Sequence, residues 1–323
     1  MIISASRRTD IPFFFSDWFY RRLQDGYVCV RNPMNRHQVS RVALTPDVVD
    51  CIVFWTKNPR PMIGRLDELG AIPYYFQFTL TGYGRDVEPN VPSKTRSLIP
   101  TFQTLSDIVG PQRVVWRYDP IAFSDVYTPT YHLRAFRSIA AELEGCADRC
   151  VISFVDIYRK NKRRLEGSGL AEPDPGELLE FSRELVDIAR EHGISVGSCS
   201  EKIDLSAAGI EHNACVSRER IERILGAGLK VSKDKTQRDE CGCVQSIDIG
   251  CYNTCGAGCL YCYANFSPES ILHNRERYDV DSPLLCDSLE DDDVVRDRAM
   301  KSLVVEQKSL FDLSDVAGTG ADL

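Results

Sequence analysis

The chain has no apolar run approaching the roughly eighteen residues that a membrane-spanning helix needs, so a helical membrane protein is not expected. Its N-terminus, MIISASRRTDIP, lacks the basic, apolar and small-residue order of a secretory signal. There is also no internal repeat and no extended low-complexity segment. Cysteine, by contrast, is abundant, with thirteen in 323 residues. Without an export signal, that number points to reduced thiols and metal binding in the cytoplasm rather than to a disulfide framework. The length allows one large domain or two ordinary ones around a substantial core.

The net charge of -8 is unevenly distributed. Residues 267–323 carry 14 acidic and 6 basic side chains, so the whole excess belongs to that segment. Residues 1–65 run the other way, with ten Arg or Lys against five Asp or Glu, a local surplus that could meet phosphate or simply face solvent.

Six short, β-rich apolar segments recur, each followed by a polar cluster and then a helix-like stretch: 2–6, 51–56, 74–80, 113–118, 151–156 and 194–199. Helices are predicted at 16–24, 61–69, 93–108, 129–143 and 175–192, opened by Ser16, Ser93 or a proline at 61, 129 and 175, with a further one near 217–225. YVCVRN and QVSRVAL read as an inserted hairpin, and SIDIG as a further strand. This alternation predicts an α/β fold, a TIM-like (β/α) barrel of six to eight strands, with a doubly wound open sheet as the rival. The expected organisation is a barrel over 1–240, a cysteine loop over 241–266 packed on its mouth, and an acidic, partly helical appendage over 267–323.

Six cysteines fall between Cys241 and Cys262. Cys255, Cys259 and Cys262 are spaced C-x3-C-x2-C, which supplies three thiolates to a cubane iron–sulfur cluster and leaves one iron without a protein ligand. Gly256, Ala257 and Gly258 between them let the backbone wrap a compact core. A zinc site completed by Cys251 is the alternative, although zinc modules usually show two separated C-x2-C pairs and only one such step is present here. Cys199, Cys215, Cys241 and Cys243 remain for a possible second cluster or zinc site. Cys29, Cys51, Cys146, Cys150 and Cys286 are expected to be packing residues.

Cys255, Cys259, Tyr261 and Cys262 resemble the loop by which radical S-adenosylmethionine enzymes hold a 4Fe-4S cluster. KDKTQRDECGC with DIGCYNTCGAGCLYCYAN, together with IISASRRTDIP and VFWTKNP, resembles a bacterial family catalogued as domain of unknown function 1848. The resemblance implies that the open iron binds S-adenosylmethionine. One electron, supplied by a reducing partner such as flavodoxin or ferredoxin, would then cleave it to a radical that takes hydrogen from the substrate. Tyr261, Tyr263 and Asn265 are the implied cofactor contacts in the loop. No glycine-rich motif for the methionine moiety is present, and Thr79, Thr81 and Gly82, or Ser200 with Glu201, are its stand-ins. In most radical enzymes the cysteine loop follows the first strand. Here it follows six others, so the barrel is circularly permuted or the loop docks from outside.

In a parallel barrel the loops after the strands form the mouth, and here those loops are polar. Arg7, Arg8, Lys57 and Arg117 are the candidates for anion binding, with Asp10, Asp119, Asp156 and Glu201 for polar recognition or proton transfer. The substrate expected is an anionic small molecule or nucleic acid, with a nucleotide or damaged DNA as examples. In the tail, QKSLF resembles the peptide that docks DNA polymerases and repair factors on the bacterial sliding clamp, Leu310 and Phe311 filling a pocket beside Gln307. The alternative functions are a non-catalytic zinc or redox-sensing iron–sulfur protein that recruits a partner through its tail, and a barrel hydrolase or isomerase with a purely structural metal.

Overall fold

The computed structural model describes residues 1–158 and 161–305, so the QKSLF segment lies outside the described residues. Its strands are β1 (Ile2–Ala5), β2 (Tyr27–Asn32), β3 (Asn35–Ala43), β4 (Cys51–Thr56), β5 (Tyr74–Thr79), β6 (Val114–Ile121), β7 (Arg149–Phe154), β8 (Ser195–Ser198), β9 (Glu211–His212), β10 (Ile247–Asp248) and β11 (Val294–Asp297). Eight of them form one sheet in the order β10-β1-β4-β5-β6-β7-β8-β9, and every neighbouring pair is parallel. No pairing joins the end strands β9 and β10 among the described residues. All six strands expected from the apolar segments are present, with ends within two residues except that β6 runs three residues further, to Ile121, and the β2–β3 hairpin is present as well.

Both faces of this sheet are buried, which is why its strands read as near-continuous apolar runs. On the helix side, Ile3, Phe54, Phe76, Phe78, Trp116 and Ile152 pack with Trp18, Phe19, Phe102, Phe136 and Leu185. Each such large side chain, once fully buried, contributes roughly 1.5–3 kcal/mol. On the other face, Ile2, Val53, Tyr75, Val115 and Val151 meet Val216, Ile221, Leu229 and Val244 from the segment joining β9 to β10. That segment therefore fills the inner side of the sheet.

Local chemistry starts the helices much as the sequence indicates. Ser93, Thr128, Asp174 and Ser217 cap the helical stretches that follow them, accepting from Arg96, Tyr131, Gly176 and Arg220 N–H groups, while Pro129 and Pro175 take the first turn. Ser16 differs: it is the first helical residue, and Phe15 ahead of it offers no side-chain cap. In the acidic segment, Pro268–Glu276 is helical but Val294–Asp297 is the strand β11, parallel to β3. Arg31 bonds Asp287 at 2.6 Å and also Asp293, Arg36 pairs with Glu290, and Arg21 pairs with Asp281 at 2.9 Å. The basic surplus near the N-terminus thus partly neutralises the acidic segment folded onto it. No helix among the described residues is long and apolar enough to cross a membrane.

His132, fully buried, bonds the Tyr118 hydroxyl at 2.9 Å and the Ala122 carbonyl at 3.1 Å. Burial pushes its pKa down to about 4. The unfolded chain therefore binds the extra proton first, and this site's stabilisation is complete above pH ~6.5 and lost as pH falls towards 4. Urea titrations between pH 7 and pH 4 should show a loss of about 2–3 kcal/mol from this group that is absent in His132→Gln; equal acid sensitivity of the two proteins would contradict it.

Candidate functional site

A cavity of about 400 Å³ opens at the C-terminal ends of the parallel strands. The loop after β1 brings Arg7, Arg8 and Asp10 to its wall, β4 brings Trp55 and Lys57, β5 brings Thr79, and β6 and β7 bring Arg117, Asp119 and Asp156. This is where a parallel α/β sheet places its ligands, because the strand-end loops there can vary without disturbing the core. Four buried polar atoms on this wall have no hydrogen-bond partner: Arg7 Nη2, Thr9 Oγ1, Trp55 Nε1 and Ser200 Oγ. The guanidinium groups of Arg7 and Arg117 lie 5.2 and 5.0 Å from the Trp55 ring.

The carboxylates are not equivalent. Burial raises the Asp10 pKa to about 6, although the carboxylate accepts the Lys57 N–H at 2.7 Å and the Phe13 N–H at 3.1 Å. Asp119 pairs with Arg117 and accepts the Ser153 hydroxyl. Glu201 does not line the cavity; it accepts the Phe154 N–H at 2.8 Å, and burial lifts its pKa to about 7. Lys57 is not free to take an anion through its ammonium, since Nζ lies 2.7 Å from Glu88 Oε1.

Glu88 was not legible as a site residue, yet it is a hub. Its fully buried carboxylate takes Lys57, Lys94, the Thr81 hydroxyl at 2.9 Å and the Tyr261 hydroxyl. Burial alone would raise its pKa, but the two ammonium groups hold it down at about 2. Thr81 and Gly82 are thereby placed away from the cavity wall, Thr81 on Glu88 and Gly82 with its carbonyl on the Tyr131 hydroxyl at 2.8 Å. The only hint in the sequence is a charged residue between Val87 and Pro89 in the loop after β5.

The cysteine loop follows β10, and β10 pairs with β1 through Ile3 with Ile247 and Ser4 with Asp248. The loop therefore continues directly from an edge strand of the same sheet. Asp248 fixes this junction, accepting Ser4 Oγ at 3.0 Å, Ser6 Oγ at 2.6 Å, and the N–H groups of Arg7 at 2.8 Å and Gly250 at 3.0 Å. A side chain at Gly250 would put a Cβ 2.0 Å from Ser6 Oγ, so only glycine lets the chain pass.

Cys255, Cys259 and Cys262 all line the cavity, and Tyr261 and Tyr263 do so beside them. Asn265 lies outside the wall and donates to the Cys255 carbonyl at 2.6 Å. Arg164 donates to the Cys262 carbonyl, Asn161 to the Tyr261 carbonyl at 3.2 Å, and Asn90 to the Gly256 carbonyl at 2.9 Å. Burial raises the Cys255 thiol well above its usual range and the Cys259 thiol to about 12, and the neighbouring sulfurs push in the same direction. Cys251 does not line the cavity; it is close enough to Cys286 and Asp287 to interact with them electrostatically.

Among the described residues no three thiol sulfurs lie within 4.8 Å of one another. A single tetrahedral zinc ion would hold its sulfurs roughly 3.8 Å apart, given Zn–S near 2.3 Å. Cys255, Cys259 and Cys262 share one stretch of cavity wall, close enough to interact electrostatically, and together they are a thiolate donor set of the kind that iron–sulfur and zinc centres use. The other four, Cys199, Cys215, Cys241 and Cys243, line the same cavity. Cys29, Cys51, Cys150 and Cys286 are buried and Cys146 is half-buried; none of these five reaches the cavity wall.

A family model described as Domain of unknown function (DUF1848) matches residues 2–264, from β1 through the last cysteine of the loop, Cys262. The chain belongs to this family. No curated protein and no solved structure gives a significant match. The match stops just before the acidic segment, so the cavity and both thiol groups fall inside the family's extent.

Proposed function

We propose that the chain is an iron–sulfur enzyme of radical S-adenosylmethionine type, acting on an anionic substrate in the cavity at the strand ends. The observation that carries this reading is the pairing of β10 with β1, which makes the cysteine loop follow a strand of the parallel sheet and sets its three thiols on the cavity wall. The sheet then starts in space with a strand that comes late in sequence. That arrangement favours a circularly permuted, partial barrel over a loop docked from outside.

Cys255, Cys259 and Cys262 would hold the cluster, which when bound supplies the electron that cleaves S-adenosylmethionine. The chain's own residues do the rest. Arg164, Asn161, Asn90 and Asn265 fix the carbonyls of the loop and so the direction of its thiols. Arg7 and Trp55 offer buried, unpartnered N–H donors to anionic oxygens, and Arg117 adds charge that Asp119 only partly neutralises. The inner apolar face below the cavity excludes water from one side.

A volume of this size suits a small molecule or a single extruded nucleotide rather than a duplex, which is how a nucleotide or damaged DNA enters the proposal. Anaerobically reconstituted, chemically reduced protein should convert S-adenosylmethionine to 5′-deoxyadenosine and methionine, read by chromatography. Intact S-adenosylmethionine in protein carrying its full complement of iron would overturn the proposal.

A further inference from the structure

We propose that Cys199 and Cys215 form a redox-active dithiol, closed to a disulfide by exchange with a small-molecule disulfide that enters the cavity. The proposal does not depend on S-adenosylmethionine chemistry or on a cluster at the other thiols. Cys199 Sγ lies 3.4 Å from Cys215 Sγ, and both residues line the cavity. Sulfurs already in contact have only about 1.4 Å left to close before they reach the roughly 2.05 Å of an S–S bond. Among the described residues no three thiol sulfurs lie mutually within 4.8 Å, so these two stand as a pair and not as part of a tetrahedral ligand set.

The backbone holds both thiols at this spacing. β8 and β9 pair in parallel through Ser198 and His212, and the Asn213 N–H donates to the Ser198 carbonyl at 2.7 Å, so the residues that follow the two strands leave side by side. The Cys199 N–H donates to the Ile152 carbonyl at 2.8 Å, and the Cys215 carbonyl accepts from the Tyr75 hydroxyl at 2.6 Å and from Gln77 Nε2 at 2.8 Å. Directly after Cys199, Ser200 takes a left-handed backbone conformation with φ 56°, which a non-glycine residue adopts at a cost. A chain fixed on both sides of a sulfur–sulfur contact also fixes the approach of one thiol to the other.

The two thiols differ in the way that exchange requires. Cys199 is half-buried on the cavity wall, whereas Cys215 is 1 % exposed. Arg117 Nη1 lies 2.8 Å from Cys215 Sγ, and a guanidinium at that distance favours the thiolate. The core thiol Cys150 also receives an N–H, from the Tyr118 backbone, but that donor is neutral and burial still pushes the Cys150 pKa up. The charge of Arg117 is what distinguishes Cys215 from it.

Cys199 therefore meets the external disulfide first. Its sulfur attacks one sulfur of RS–SR, the S–S bond breaks, a mixed disulfide forms on Cys199, and the departing thiolate carries off the proton that Cys199 gives up. The Cys215 thiolate then attacks Cys199 Sγ and expels the second RS⁻, which takes from solvent a proton matching the one Cys215 released. Two protein thiols are oxidised by two electrons, and one external disulfide is reduced to two thiols. Cys243, which contacts Cys215 from the other side, is 2 % exposed and is not the thiol that a molecule in the cavity reaches first.

The test is glutathione disulfide added anaerobically to the reconstituted full-length protein, followed by acid quenching, alkylation of the remaining thiols under denaturing conditions and peptide mass spectrometry. Wild type should lose two of its thirteen alkylatable thiols and yield a peptide cross-linked between Cys199 and Cys215 that dithiothreitol reverses. Cys215→Ser should instead stop at the glutathione mixed disulfide on Cys199, and Cys199→Ser should give neither product. If Cys215→Ser fails to fold, the wild-type map decides alone. Both thiols still alkylated after treatment, or a bond joining either of them to another cysteine, overturns the proposal. So does iron or zinc that the Cys255→Ala/Cys259→Ala/Cys262→Ala variant retains and then loses when Cys215→Ser is added, because the thiols of this wall would then be metal ligands. The cross-link is read without turnover, so this pair and the proposed cleavage of S-adenosylmethionine can each fail without the other.

Discussion

Replacing Cys259 with alanine is expected to abolish reductive cleavage of S-adenosylmethionine, with a fall of at least ~100-fold. Loss of a mere outer-shell partner of a metal ligand already costs about 10–100-fold, and here a ligand itself is removed. Cys259 is buried on the cavity wall, and its neighbour Tyr261 is tied to Glu88, which holds this part of the loop in place. Cys146→Ala is the matched control: it removes a half-buried thiol away from the cavity and should leave the rate within about twofold, the expectation for a site outside any functional contact. Parallel loss in both variants would mean that the assay reports thiol oxidation and not a metal centre.

Replacing Glu88 with alanine should lower stability by about 3–5 kcal/mol, the usual cost of removing one partner from a buried ion pair. The carboxylate is fully buried and anchors two ammonium groups, a threonine and a tyrosine, so the variant would leave Lys57 and Lys94 as buried, uncompensated charges. Urea denaturation of the metal-free protein measures the loss directly. A Glu88→Ala/Lys94→Met double variant should recover part of it, because the second change removes one stranded charge. A loss below about 1 kcal/mol would mean that water reaches the cluster of charges and screens it. The same substitution frees Tyr261, and iron should then leave the Cys255–Cys259–Cys262 loop faster in a chelator challenge.

The two predictions fall on residues that differ in how legible they were. The thiol spacing is local, so it stands out in the sequence, as do strands buried on both faces: Cys51–Thr56 is recovered with the same bounds. Arg7, Arg8, Asp10, Lys57, Arg117, Asp119 and Asp156 could be assigned to one mouth because parallel strands bring their C-terminal ends together. Glu88 sits well past the end of β5, where strand order no longer dictates position, and only the fold reveals that Lys57 turns towards it rather than to an anion. β9 is two exposed polar residues and β10 two residues in all, too short for a hydrophobic period. Their places come from tertiary pairing, which the local sequence does not encode.

The pairing of β10 with β1 has a consequence for how the protein is made. Translation delivers Arg7, Trp55 and Arg117 before any of Cys241, Cys243, Cys255, Cys259 and Cys262 leaves the ribosome. Until Asp248 arrives, Ser4, Ser6 and the Arg7 amide lack their acceptor and the edge of β1 is bare. On the proposed reading, metal could load only after the segment through Cys262 has been made, and the strand that covers the edge of β1 arrives just ahead of Cys255, Cys259 and Cys262.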